Sequence, residues 1–144
     1  MRAYHTIFFI VCIGSLMISC SSKEEASTDT TSKVDKQIYF EGKQLYAGTC
    51  AQCHQVDGKG LNKLYPPLAN SDYLMNDILG ASKIIKHGLS GAIKVNDIEF
   101  NRPMKGFEYL TDQEVASILT YISNSWGNQY KTVAPQDVSK ILNE

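Results

Sequence analysis

The chain has 144 residues and a formal net charge of −1, enough for one domain and hardly for two. Apolar residues make up 43% and charged residues 20%, the balance of an ordinary globular protein. No Lys/Arg run or basic patch stands out, so nothing points to nucleic acid as a partner.

The first segment stands apart. Arg2 precedes an apolar stretch from Ile7 to Ile18, the length of a secretory h-region. A membrane span needs about 20 apolar residues, more than this stretch offers. No small-x-small cleavage site follows. The run ends in Leu16-Met17-Ile18-Ser19-Cys20, which resembles the lipobox of bacterial lipoproteins, with Met17 where that pattern prefers leucine. The resemblance implies that residues 1–19 are a lipoprotein signal peptide and that Cys20, lipidated, becomes the new first residue. A short uncleaved anchor is the alternative. Either way the remainder is expected outside the cytoplasm, tethered to a bacterial membrane and facing the periplasm.

Residues 20–34 are mostly Ser, Thr, Lys, Glu and Asp. Such a segment buries too little apolar surface to offset its ordering entropy, so a disordered tether is expected. Ser22-Lys23-Glu24-Glu25 resembles, over four residues only, the acidic surface-export signal of some Bacteroidetes lipoproteins; a solvated linker explains it more simply.

A domain over residues 35–130 opens with a helix. From Asp35 to about Thr49, Ile38, Leu45 and Tyr46 recur at helical spacing, with Gly42 on or near the same face. A mid-helix glycine costs about 1 kcal/mol relative to alanine, so close approach of another helix is its expected reason.

The helix runs into Cys50-Ala51-Gln52-Cys53-His54. Of the four cysteines, Cys12 leaves with the signal peptide and Cys20 is the lipid candidate, so only Cys50 and Cys53 remain in the folded part. Alone, such a pair could be a disulfide, a redox couple or half a zinc site. Zinc would need a second ligand pair, and beyond this motif only His87 is available. A thioredoxin-like site would need a βαβ pattern, which is missing. Haem explains the fifth residue as well. Two thiols at this spacing can add to the two vinyl groups along one haem edge, and the turn between them sets the imidazole of His54 beneath the iron. One covalent haem c, held by Cys50 and Cys53, is therefore expected.

Pro66-Pro67-Leu68 reads locally as a turn. Helices follow from about Asp72 to Leu79 and from Ala81 to His87, the second stopped by Gly88. Ile93 to Phe100 alternates around Asn96-Asp97, a small hairpin. Then comes Met104 in the loop Asn101-Arg102-Pro103-Met104. A methionine beside Pro, Arg and Lys is otherwise an unexplained apolar residue, which makes it a candidate sixth iron ligand. Met75 lies in or near a helix and is more simply core filling. His87 is the competing ligand, although a histidine at a helix end commonly caps the last carbonyls.

Thr111-Asp112-Gln113-Glu114 is a capping box, and Val115, Ile118, Leu119 and Ile122 follow as one apolar stripe. Trp126-Gly127 is expected to end this helix. In the tail, residues 131–144, Pro135 marks the first turn of a short helix with no chemistry of its own.

From Asp35 to Gly127 the chain resembles the class I c-type cytochromes. The resemblance implies an all-α fold whose N- and C-terminal helices cross around one covalent haem, with the small hairpin ahead of the methionine loop. Gly42 and Tyr121 match the glycine–aromatic contact of those two helices. Pro66-Pro67-Leu68 matches the family's Pro-x-Leu. It implies that the Pro66 carbonyl accepts the Nδ1–H of His54, with Leu68 in the haem pocket. Met104 stands where the family places its axial methionine. The hairpin and Tyr121-Ile122 through Asn128 resemble cytochrome domains associated with nitrite reductases and oxidases, with Asp97 where glycine would be expected. The implied role is electron transfer between protein partners of a respiratory chain, a terminal oxidase or nitrogen-oxide reductase among them, without a small-molecule substrate.

Arg102, next to Met104, could equally bond a haem propionate or face solvent. Lys43, Lys59, Lys63, Lys83, Lys86 and Lys105 could ring an exposed haem edge, but Asp57, Asp72, Asp77 and Glu108 are interspersed. Loss of residues 1–19 removes Arg2 and no acidic residue, so the mature charge is −2 before any propionate. That balance does not announce an acidic partner.

Overall fold

The computed structural model describes residues 34–144; the expected signal peptide, Cys20 and all but the last residue of the expected tether lie outside the described residues. Helix α1 spans Lys36–Thr49 and α2 Ala51–His54, with Cys50 between them. Asp35 caps α1, its carboxylate accepting from the N–H groups of Gln37 and Ile38 at 2.8 and 3.0 Å. Helix α3 spans Asp72–Asn76 and α4 Ala81–His87. After β1 (Gly88–Leu89) come β2 (Ile93–Val95), β3 (Ile98–Phe100) and β4 (Met104–Lys105). Helices α5 (Asp112–Ile122) and α6 (Pro135–Leu142) complete the described chain.

The described residues are helix-rich, but four short strands among them qualify the all-α expectation. Antiparallel β2 and β3 form the expected hairpin. Asn96 and Asp97 both take positive φ, 49° and 64°, so the tight turn is made without the glycine expected there. The second pair, β1 with β4, sets Gly88 opposite Lys105 and Leu89 opposite Met104. Local sequence carried no sign of it, because it joins the end of a helix to a loop fifteen residues on.

Two helices are shorter than the periodicity suggested. The helix from Asp72 stops at Asn76 rather than Leu79, because the Asp77 carboxylate accepts from Gly80 N–H at 2.8 Å and starts a turn. Helix α5 ends at Ile122, before Trp126-Gly127, because side chains take its last carbonyls. Asn124 donates to Thr120 O, Ser125 to Tyr121 O and Asn128 to Ile122 O, at 2.8, 2.7 and 2.8 Å. Trp126 and Gly127, at φ 54° and 99°, then reverse the chain.

The core centres on α5, where every residue from Val115 to Ile122 is buried. Its polar members face partners rather than water. Ser117 donates to Glu41 of α1 at 3.0 Å, and Thr120 accepts from Val133 N–H at 2.9 Å. Gly42 is where α1 meets α5: a Cβ there would overlap the Ser117 carbonyl and lie 2.9 Å from Tyr121 Cβ. Helix α6 packs on α5 and α4, with Val138 wholly buried. Among the described residues no helix is long and apolar enough to cross a membrane.

Candidate functional site

The site begins where α1 ends. The Cys50 carbonyl accepts from Cys53 N–H and His54 N–H, at 3.1 and 3.0 Å, so both cysteines and the histidine lie on one tight turn. Gln55, at φ 62°, breaks that turn. Tyr46, one helical turn before Cys50, fixes the break by donating its hydroxyl to Gln55 O at 2.6 Å.

The next fifteen residues fold back over His54. Gly60 N–H donates to His54 O at 3.0 Å, and the N–H groups of Leu68 and Ala69 both donate to Gly58 O, at 2.7 and 2.9 Å. Gly58 and Gly60 take φ 69° and 66°, values that glycine adopts without strain. A Cβ on Gly58 would strike the Trp126 ring, and one on Gly60 would lie 2.6 Å from the Pro66 carbonyl oxygen. The loop so formed carries Pro66 O to 3.0 Å from His54 Nδ1. A carbonyl only accepts, so Nδ1 holds the proton and Nε2 is left with its lone pair.

Two contiguous cavities of about 360 and 470 Å³ open beside this ring. They share Cys50, His54, Pro66, Leu89, Ile93 and Met104. Leu68 lines the smaller, whereas Cys53 and Arg102 line the larger. Gly42 and Tyr121 lie behind the site at the helix crossing, linked to it through Tyr46, whose ring is 5.3 Å from that of Tyr121. Neither rival ligand is near: His87 is exposed and Met75 packs into the hydrophobic core, and both are absent from the cavity walls. Arg102 is exposed, with its guanidinium 5.0 Å over the Tyr65 ring centroid.

The electrostatics suit ligation. Burial pushes the His54 imidazole below its ordinary pKa, partly countered by the Pro66 carbonyl, so the ring is neutral at neutral pH. Burial, and then the neighbouring Cys53, push the Cys50 thiol up to about 12. Cys50 and Cys53 are not joined in a disulfide. Among the described residues no group of three or more His, Cys, Asp or Glu side chains is arranged to hold a metal ion by itself. A haem fits what is present: two thiols on one turn, an imidazole with a free Nε2, a thioether, and a slot walled largely by apolar side chains.

A family model described as cytochrome c matches residues 40–126. The chain belongs to the cytochrome c family. Cytochrome c-552 of Thermus thermophilus is 31% identical over 113 residues, covering 70% of this chain and 83% of that protein. The cytochrome c subunit of the quinone alcohol dehydrogenase of Gluconobacter oxydans is 33% identical over 104 residues, 69% of this chain but 21% of the subunit. Subunit CcoP of the cbb3-type cytochrome c oxidase of Rubrivivax gelatinosus is 30% identical over 102 residues, 71% of this chain and 31% of CcoP. As a cytochrome c, this chain carries one covalent haem c and transfers electrons.

Several residues of this cytochrome's site escaped the sequence. Tyr46 counted only as an apolar position, although its ring faces the cavity and its hydroxyl fixes Gln55. Leu89 and Ile93 enter the wall only through strand pairing. Gly58-Lys59-Gly60 was a visible signal, two glycines within a turn of the haem motif. Lys86, counted among the surface lysines, donates to Glu108 O and Leu110 O at 2.9 and 2.5 Å.

Proposed function

We propose that this cytochrome is a membrane-tethered, extracytoplasmic carrier of single electrons in a respiratory chain. In this reading Cys50 and Cys53 form the thioethers to the haem, and His54 and Met104 are the axial iron ligands. Leu68 packs in the haem pocket and Arg102 contacts a propionate. Lipidated Cys20 anchors residues 20–34 as a tether, and residues 35–130 form the haem domain.

The observation that carries the ligation is the fixed imidazole: with Nδ1 bonded to Pro66 O, Nε2 is the nitrogen left to bind iron, and Met104 walls the same two cavities. The haem supplies a one-electron couple. The chain's residues do the rest. The Pro66 carbonyl holds the ring and raises its basicity. The Met104 thioether favours ferrous iron and raises the potential. Both ligands are neutral and stay bound in either oxidation state, so little reorganises on transfer. Apolar side chains such as Leu68, Ile118 and Ile122 keep water from the slot. No acid–base group is needed.

Relatives named as cytochrome subunits of a dehydrogenase and an oxidase support redox proteins as donor and acceptor. A terminal oxidase or a nitrogen-oxide reductase is the proposed acceptor class, reached through a tether of about 15 residues that spans about 20 Å at root mean square.

The test is an absorption spectrum of the oxidised protein with a redox titration. A sulfur-to-iron charge-transfer band should be present and should vanish in Met104→Ala. Absence of the band, or rapid carbon monoxide binding by the ferrous form at neutral pH, would replace the carrier with an open-site enzyme or gas sensor. Mass spectrometry of the mature N-terminus tests the lipid on Cys20.

A further inference from the structure

The segment around Met104 is tied to β1 and to the end of α4. Strand β4 contains Met104 and pairs with β1, the two residues that follow α4. Gly106 packs so closely on the end of α4 that a Cβ there would lie 2.7 Å from the His87 carbonyl carbon. Phe107 N–H donates to Ile85 O at 2.8 Å. The remaining stretch before α5 is tied by one side chain. Lys86, in the last turn of α4, sends its ammonium to the carbonyls of Glu108 and Leu110, at 2.9 and 2.5 Å.

We propose that Lys86 is a positioning residue for the sixth ligand: by bridging residues 108 and 110 to α4 it keeps the Met104 loop closed and the thioether on the iron. The inference rests on the reading of Met104 as ligand. A lysine is suited to this task. Its stem is half-buried along the domain, and one ammonium can donate to two carbonyls that no backbone N–H among the described residues reaches. Lys83, three residues earlier on the same helix, is exposed and makes no such bond among the described residues. A lysine near a helix C-terminus also favours that terminus electrostatically, a purely structural benefit that the test must separate.

The experiment titrates the oxidised haem protein with imidazole, which competes with Met104, and follows the sulfur-to-iron band. Hydrogen bonds to a charged group are strong enough that Lys86→Met should lower the imidazole midpoint roughly tenfold. Lys86→Arg, which keeps charge and donors, should recover most of the loss, and Lys83→Met should leave the midpoint unchanged. Thermal unfolding by far-ultraviolet circular dichroism is measured beside each titration. A Lys86→Met protein that melts lower but keeps the original imidazole midpoint would make Lys86 merely structural and overturn the proposal. If Lys86→Met does not fold, Lys86→Gln, which keeps a neutral donor, should still show an imidazole midpoint below those of Lys86→Arg and Lys83→Met; a midpoint equal to theirs would overturn the proposal. A band absent from the unsubstituted protein overturns the ligand reading itself, and the role of Lys86 with it; a band present but insensitive to Lys86 overturns the role of Lys86 alone.

Discussion

Two glycines on one helix should respond to the same substitution with opposite signs. In α1, Gly48 has nothing within 4 Å of the place its Cβ would occupy, whereas at Gly42 the Cβ would overlap the Ser117 carbonyl. At an open helical position, Gly→Ala gains up to about 1 kcal/mol of propensity. At Gly42 the obstacle is backbone, which cannot rotate away, so overpacking costs about 3 kcal/mol, the upper end of its usual range. The net loss is then about 2 kcal/mol, a fall in melting temperature of roughly 10 °C for a domain of this size. Gly48→Ala should instead raise it by a few degrees. Thermal and denaturant unfolding of both holoprotein variants, followed by far-ultraviolet circular dichroism, decides between them. If Gly42→Ala is neutral or stabilising, the α1–α5 contact is not set by backbone approach and the reasoning fails.

Thr111→Ala removes the α5 cap and should cost about 1 kcal/mol in denaturant unfolding. The Thr111 backbone N–H and hydroxyl hold the Glu114 carboxyl below its ordinary value, so this contribution is present above the ordinary carboxylate range and lost as pH falls through the depressed folded value. The gap between Thr111→Ala and the unsubstituted protein should therefore shrink on acidification; a gap independent of pH would contradict the capping box. Tyr46→Phe leaves the Gln55 carbonyl with only the Gly58 N–H, at 3.1 Å, and should cost about 1 kcal/mol while the haem spectrum is kept, since the ring remains. An unchanged denaturant midpoint would show that the hydroxyl bond is dispensable. Val138→Ala should cost about 1–3 kcal/mol if α6 is part of the cooperative unit, and nothing if it docks loosely.

Legibility followed sequence distance. The turn from Cys50 to His54, the capping box and the hairpin were readable because their determinants lie within a few residues of one another. The partner of His54 was reached through resemblance, and the structure supplies its physical cause in Gly58 and Gly60, which fold the loop that carries Pro66. Helix α5 was half legible. Its stripe of Val115, Ile118, Leu119 and Ile122 was plain and resemblance put Tyr121 at the helix crossing, but nothing in the sequence marked Ser117 and Thr120 as buried. They are buried because Glu41 and Val133 meet them from distant segments, and no local pattern announces such partners. The β1–β4 pair and Lys86 were invisible for the same reason.

The same distinction separates the two sides of the site. The bonds that orient His54 run within residues 54–69, so the proximal side is organised by its own neighbourhood in sequence. The bonds that place Met104 reach back to residues 85–89, across the hairpin. Closing such a longer loop costs more chain entropy, and the enclosed hairpin offsets part of that cost. The hairpin is itself fastened to α3 by a reciprocal pair, Asp72 N–H to Asn96 Oδ1 at 3.0 Å and Asn96 N–H to Asp72 Oδ1 at 2.7 Å. Position on the distal side is therefore a property of the assembled domain: Met104 is held only as firmly as α4, and through Asp72 the hairpin, are held to the core.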